Sequence, residues 1–382
     1  MAGSADDLIL AVNSGSSSLK VGLFQQINGE ETAILKSGAD GVGKSNGRLR
    51  ITDAQGKLLL DESYTLRSQA HALDETVRAL LKFTHAAPVC AGHRVVHGGP
   101  HLRTHQRVTD DLLERLNAAR HFAPLHIPTA IALIKETERL LPKACQYACF
   151  DTAFHANMPE SSCHFALPDE LYAKGIERYG FHGLSYESIV HRLGDQIPRR
   201  LICAHLGSGA SLVAVREGVS IDTSMGLTPT GGIPMATRSG DLDPGVLLFL
   251  MRTEKLDAEA LEKLLNHNAG LVALSDGEAD MQRLEARAKQ GDHKAELAID
   301  IFTTAARKYI GAYAAELGGL DLLVFTGGIG EHSRYVRERI CRGLEFLGIE
   351  INSGGEISKV VATTSEEEVQ IARHCRRLMQ EK

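Results

Sequence analysis

One local pattern recurs along the chain and restricts its fold more than any other feature: an apolar, β-rich run that ends in a cluster of glycine and small polar residues. Residues 8–12 break into Asn13-Ser14-Gly15-Ser16-Ser17-Ser18, and residues 19–24 resume the apolar run, which reads as strand, tight turn, strand. The pattern returns over 201–215, through His205-Leu206-Gly207-Ser208-Gly209. A third version follows 320–325, where Thr326-Gly327-Gly328-Ile329-Gly330-Glu331 leads toward a helical stretch rich in Arg and Glu. Turns of this type expose backbone N–H groups, so three of them suit a ligand with several phosphates. Each alone is equally readable as a hairpin or a helix cap. The first two suggest one strand-turn-strand unit used twice, and the three together are harder to dismiss as mere hairpins or caps.

Helical periodicity covers 111–120, 258–265 and 295–317, the last closed by Gly318-Gly319, and the tail 366–381 reads as a charged amphipathic helix. The order is therefore mixed α/β. A chain of 382 residues is long for one domain, and the change of character near Phe150-Asp151 places the division between lobes of 1–150 and 151–368. A net charge of -6 argues against a nucleic-acid partner, which would need clustered Lys and Arg. The seven cysteines are scattered without CxxC spacing, so neither a disulfide framework nor a zinc site is expected, and reduced thiols point to the cytoplasm. Residues 1–8 carry two aspartates and no basic residue, unlike a secretion signal, and apolar runs such as 246–251 are too short to span a bilayer, so no membrane partner is expected.

Residues 38–45, Gly38-Ala39-Asp40-Gly41-Val42-Gly43-Lys44-Ser45, match the GxxxxGK[ST] pattern of a P-loop. A working P-loop opens a helix whose N-terminus holds the phosphates. Here Ser45 is followed by the turn signal Asn46-Gly47 and then by strand-like alternation at Leu49 and Ile51, so the match reads as a loop in a β-meander.

A set of colinear blocks resembles the acetate kinase family. They are Asn13-Ser14-Gly15-Ser16-Ser17-Ser18-Leu19-Lys20, Gly92-His93-Arg94-Val95-Val96-His97-Gly98-Gly99, Ala123-Pro124-Leu125-His126 and Phe150-Asp151-Thr152-Ala153-Phe154-His155, followed by Arg178-Tyr179-Gly180-Phe181-His182-Gly183, Asp222-Thr223-Ser224-Met225-Gly226, Thr237-Arg238-Ser239-Gly240-Asp241 and residues 325–331. The resemblance implies an α/β fold of two duplicated lobes, like actin, Hsp70 and the sugar kinases (ribonuclease H-like), closing over ATP and Mg²⁺. It also implies that a C-terminal helix, 369–382, returns to the first lobe, and that the protein is a homodimer. The activity it implies is reversible phosphorylation of acetate, with propionate as the alternative substrate.

Residue roles follow from the same resemblance. Arg94 and Arg238 would orient the carboxylate and stabilise the phosphoryl group in flight, His182 would hydrogen-bond that group, and Asp151 would orient the arginines. Val96, Leu125, Phe181 and Pro229 match a small apolar pocket for the alkyl end of the substrate. Mg²⁺, or Mn²⁺ in its place, would be held by Asn13 and Glu367, with Glu368 as the neighbouring alternative in an acidic run that is also readable as a solvated face. ATP or ADP would lie against Lys20, His205, Gly207, Ser208 and Gly209 on its phosphate side and Gly328, Ile329 and Gly330 near its adenosine, with Asp280, Met281 and Gln282 at the base. At the nucleotide site three positions depart from the family pattern: Ser208 and His332 stand where Asn is usual, and Gln282 where Arg is usual, the last of which weakens the expected preference for adenine; elsewhere Tyr186 replaces a usual histidine. Independently of any family, a carboxylate acceptor is already ionised at neutral pH and needs charge stabilisation more than a general base.

Overall fold

The computed structural model describes residues 7–15, 17–84, 86–124, 126–352 and 356–381. The chain forms two units. One comprises Met1–Ala153, Gly183–Ser188 and Glu366–Lys382; the other comprises Phe154–His182 and Ile189–Ser365. The divisions differ from those read in the sequence: the first falls after Ala153, the C-terminal return begins at Glu366, and the short segment Gly183–Ser188 groups with the first unit.

The first unit is built on an eight-stranded sheet. Its strands are β1 (Ile9–Ser14), β2 (Ser18–Ile27), β3 (Glu30–Asp40), β4 (Gly47–Asp53), β5 (Leu58–Tyr64), β6 (Cys90–Val95), β7 (Gln106–Arg107) and β8 (Cys145–Phe150). They lie in the order β5-β4-β3-β2-β1-β6-β8-β7. Strands β1 to β5 form an antiparallel meander, and β6 and β8 join it in parallel. Because side chains alternate along a strand, Leu8, Leu10 and Val12 point into one core with Leu73 and Val77 of the helix Gln69–Leu80 and Leu133 of the helix Ile127–Leu140. Ile9 and Ala11 point into the opposite core, against Ile371, Ala372 and Cys375 of the C-terminal helix Glu367–Gln380.

That helix packs close to the sheet because Gly92 has no side chain: a Cβ there would sit 2.4 Å from both Cys375 Sγ and Ile371 Cγ2. A buried ion pair fixes it as well, Arg376 Nε donating to Glu31 Oε1 at 2.7 Å. The charged tail therefore packs on the face formed by β1, β2, β3 and β6.

The second unit holds a five-stranded sheet of β9 (Arg200–Leu206), β10 (Ala210–Arg216), β11 (Val219–Thr223), β12 (Leu322–Thr326) and β13 (Val360–Ala362), in the order β11-β10-β9-β12-β13. Strands β9, β10 and β11 are antiparallel and β12 and β13 join in parallel. The same pattern, three meander strands and two parallel additions, makes up β3-β2-β1-β6-β8 of the first sheet. The duplication expected from the repeated turn is thus present in the strand order, which is that of the actin-like, ribonuclease H-like fold. The long helix His293–Leu317 starts at Asp292, whose carboxylate caps Lys294 and Ala295 N–H, and stops at Gly318 in the left-handed region (φ 74°).

The P-loop match fails as read from the sequence. Residues 38–40 finish β3, no helix follows Ser45, and the amides of Val42, Gly43 and Lys44 already donate to Ser17 O, Leu66 O and Gly41 O. No helix among the described residues is long and apolar enough to cross a membrane.

Candidate functional site

In the first unit the end of each central strand contributes to one polar cluster. Asn13 is the penultimate residue of β1 beside the glycine turn, Arg94 lies near the end of β6, and Asp151 follows β8 directly. Arg94 Nε and Nη2 both donate to Asp151 Oδ2, at 2.9 and 2.5 Å, and its Nη1 reaches Asn13 Oδ1 at 3.3 Å and Ser14 O at 3.4 Å. The Asp151 side chain is 1% exposed and that of Arg94 15%. Asp151 Oδ1 is buried without a hydrogen-bond partner. Burial pushes the Asp151 carboxyl above its ordinary pKa, while the Arg94 charge and hydrogen bonds oppose that rise.

The N-terminus of the C-terminal helix completes this cluster. Asn13 Nδ2 donates to Glu367 Oε2 at 2.9 Å and to Glu368 Oε1 at 2.7 Å. Two carboxylates converging on one amide, with the unpartnered Asp151 oxygen in the same unit, are a set of hard oxygen donors with excess negative charge, and they fit Mg²⁺ or Mn²⁺. Glu368 shares the Asn13 contact equally with Glu367, so the neighbouring alternative in the acidic run belongs to the cluster. Val96 lies half-buried two residues beyond Arg94, and Lys20 is exposed on β2, directly opposite Asn13 in the strand register. Leu125 lies outside the described residues.

The second unit gathers another set. His182 has φ 59°, ψ 25°, a left-handed conformation costly for a residue with a Cβ, and strain of that kind concentrates at functional positions. Its Nδ1 lies 2.9 Å from Ser211 Oγ on β10, and its ring stacks on His205 at 4.3 Å. The preceding carbonyl, Phe181 O, is 3.1 Å from His155 Nε2, whose other nitrogen lies 2.9 Å from Ser220 Oγ. The β9–β10 turn closes against His182: a Cβ on Gly209 would lie 3.3 Å from His182 Nε2 and 3.8 Å from Arg238 Nη1, so only glycine leaves that space open. Arg238 Nη1 also donates to Pro229 O at 3.2 Å. The other glycine turn adjoins the first, since a Cβ on Gly207 would be 3.9 Å from Gly328 N. Ser208, between the two glycines, accepts the Ala236 N–H on its carbonyl at 3.2 Å.

The remaining expected positions fall less uniformly. Phe181 is 1% exposed, and Pro229 touches Arg238 through its carbonyl. Ile329 and Gly330 belong to the short helix Gly327–His332, where Gly330 is buried. Asp280 caps the helix Met281–Lys289 by accepting the Arg283 N–H at 3.0 Å, Met281 is buried at 5% exposure, and Gln282 is exposed. Of the three expected base contacts, two therefore have a structural role in this helix. Ser211 and His155, which brace His182, carried no sequence signal beyond being a serine in an apolar strand and a histidine in a matched block.

The family model described as "Acetokinase family" matches residues 8–373. The chain belongs to the acetokinase family. An acetate kinase of Alkaliphilus metalliredigens is 39% identical over 97% of the chain and 100% of its own length, and one of Methylocella silvestris is 41% identical over 96% of each. Among solved structures, Porphyromonas gingivalis acetate kinase superposes with a TM-score of 0.85 at 34% identity, covering 98% of this chain and 100% of that one. A propionate kinase from Francisella tularensis superposes with a TM-score of 0.89 at 33% identity, covering 97% and 100%.

Proposed function

We propose that this acetokinase-family protein transfers the γ-phosphoryl group of ATP directly and reversibly to acetate, with Mg²⁺, forming acetyl phosphate. The observation that carries the reading is the preset guanidinium of Arg94, two of whose nitrogens are held on one Asp151 oxygen. A side chain fixed in this way meets an incoming carboxylate with little loss of freedom. Because acetate is ionised at neutral pH, Asp151 is assigned to orienting Arg94 rather than to taking a proton.

In the second unit, Arg238 and His182 are assigned to the oxygens of the phosphoryl group in transfer, where donors fixed in advance stabilise developing charge. Ser211 on Nδ1 and His205 against the ring hold the imidazole so that Nε2 faces the open space at Gly209. The turns at Gly207–Gly209 and Gly328–Gly330 are assigned to the nucleotide. Asn13 and Glu367, with Glu368, would hold Mg²⁺, which when bound neutralises phosphate charge. Lys20, Val96, Leu125, Phe181, Pro229, Asp280, Met281 and Gln282 keep their expected roles in this reading.

A second reading, phosphorylation of propionate, is favoured by the superposition on the Francisella tularensis propionate kinase. One methylene is worth only ~1–3 kcal/mol of discrimination. The reading also includes a homodimer and a cytoplasmic location. The helix Pro244–Thr253 supports the first, with Val246, Leu248, Phe249 and Met251 each 40–58% exposed, an apolar face that a second copy would cover. Seven free thiols agree with the second. The test is the reverse reaction: purified protein with ADP, Mg²⁺ and acetyl phosphate should produce ATP, read by a luciferase assay. Absence of ATP from protein that is folded and supplied with Mg²⁺ would reject the reading.

A further inference from the structure

The first unit holds a second polar cluster that the chemistry above does not use. Glu187, on the helix Gly183–Leu193, lies between two histidines from distant parts of the chain. Its Oε1 is 3.1 Å from His105 Nε2, its Oε2 is 2.7 Å from His374 Nε2, and the two rings overlap with centroids 3.9 Å apart. All three side chains are at most 15% exposed. The ligating atoms lie within 4.8 Å of one another, a spacing that would accept a transition metal.

The tautomer of His105 argues against a metal. Its Nδ1 accepts the Phe150 N–H at 3.0 Å, so the neutral ring carries its proton on Nε2 and donates it to Glu187. A metal on Nε2 would drive that proton to Nδ1, donor against donor with Phe150. Glu187 is a stable anion here: burial alone would raise its pKa, but hydrogen bonds from His105 and His374 bring it down to about 2.

The arrangement joins the parts of the unit that present the candidate catalytic carboxylates. Through Phe150, His105 holds the end of β8 immediately before Asp151. The helix that carries Glu187 is tied to the same point, because Gly183 N–H donates to Asp151 O at 2.9 Å. His374 lies about two turns along the helix that begins at Glu367. The start of that helix is fastened to the Glu187 helix by Glu366 N–H on Ser188 Oγ at 3.1 Å. We propose that Glu187 is a positioning residue for phosphoryl transfer, fixing Asp151 and Glu367 relative to each other through His105 and His374.

This inference rests on the carboxylate kinase reading, and the experiment separates the two. The full chain and its Glu187→Gln, His374→Leu and His374→Gln variants are assayed with ATP, acetate and varied Mg²⁺. Binding of Mn²⁺ in the presence of ADP is measured without turnover from the paramagnetic resonance of the free ion. Glu187→Gln and His374→Leu should raise the half-saturating Mg²⁺ about tenfold and weaken Mn²⁺ binding by the same factor, with KM for ATP changed less than about twofold. His374→Gln keeps a donor in place of Nε2 and should stay near the unsubstituted protein. A structural defect would lower kcat through the active fraction and leave the Mg²⁺ requirement unmoved. An unmoved Mg²⁺ requirement and Mn²⁺ affinity in folded Glu187→Gln would overturn the proposal, and so would zinc that copurifies in stoichiometric amount and is lost in His374→Gln. If Glu187→Gln does not fold, the His374→Leu and His374→Gln pair decides in the same way. Inactivity of the unsubstituted chain on every carboxylate would instead reject the kinase reading.

Discussion

Replacing Arg376 by methionine removes one half of the buried pair that fastens the C-terminal helix to β3. The two side chains are 5% and 3% exposed, and Arg376 donates to Glu31 at 2.7 and 3.3 Å and to Asp7 O at 3.1 Å. Methionine keeps most of the apolar stem, so the loss is chiefly that of the charge, and Glu31 is left buried without its partner. Breaking such a pair from one side costs about 3–5 kcal/mol. At about 1.4 kcal/mol per tenfold, easier opening of the helix Glu367–Gln380 would speed its amide exchange by roughly 10²–10⁴-fold. Because Glu367 and Glu368 begin this helix and meet Asn13, the Mg²⁺ requirement should rise with the opening. Hydrogen exchange read by mass spectrometry measures the first effect, and a Mg²⁺ titration of activity the second. The Arg376→Met/Glu31→Leu double variant should recover most of the protection, since replacing both ions avoids the buried orphan charge. Exchange changed less than about fivefold in Arg376→Met, or a double variant no better than the single, would show that the pair does not hold the helix.

Lys44→Ala should leave activity unchanged, since the turn after β3 is not a phosphate loop, while Arg238→Ala should lose about 10²–10³-fold in kcat; the reverse pattern in steady-state acetyl phosphate formation would contradict both assignments. Burial holds the His93 pKa at about 4, well below its ordinary value of 6.5, with the Gln146 hydrogen bond opposing. The unfolded chain therefore binds the proton first, so stability is full above pH 6.5 and falls by about 3 kcal/mol as pH drops toward 4; urea midpoints for His93→Gln should show less of that dependence than the unsubstituted protein. With bulky Phe181 in the role proposed for it, acetate should give a higher kcat/KM than propionate and propionate a higher one than butyrate; a maximum at butyrate would contradict that role.

Local signals were legible in the sequence wherever a few adjacent residues decide the geometry. The turns at 13–18 and 207–209 announced the β1–β2 and β9–β10 hairpins, and Gly318 announced the end of the helix His293–Leu317. The start of that helix is two residues earlier than its apolar stripe implied, because the cap is Asp292 and the first turn is polar. What no spacing contains is pairing over long separations. Asn13 and Glu367 are 354 positions apart, Arg94 and Asp151 57, and both sets were reached through the family resemblance alone. His105, Glu187 and His374 share no motif, and only the fold brings them to one point. The fold also gave Asp280 and Met281 structural work that their place in a matched block did not disclose.

Whether a carboxylate receives the phosphoryl group is read by trapping the product with hydroxylamine. The protein is incubated with ATP, Mg²⁺ and acetate, and the acyl hydroxamate is measured against ADP formed. Acetyl hydroxamate is expected in one-to-one ratio with ADP, dependent on acetate and abolished in Arg94→Ala. ADP release without hydroxamate, or hydroxamate formation undiminished in Arg94→Ala, would contradict it.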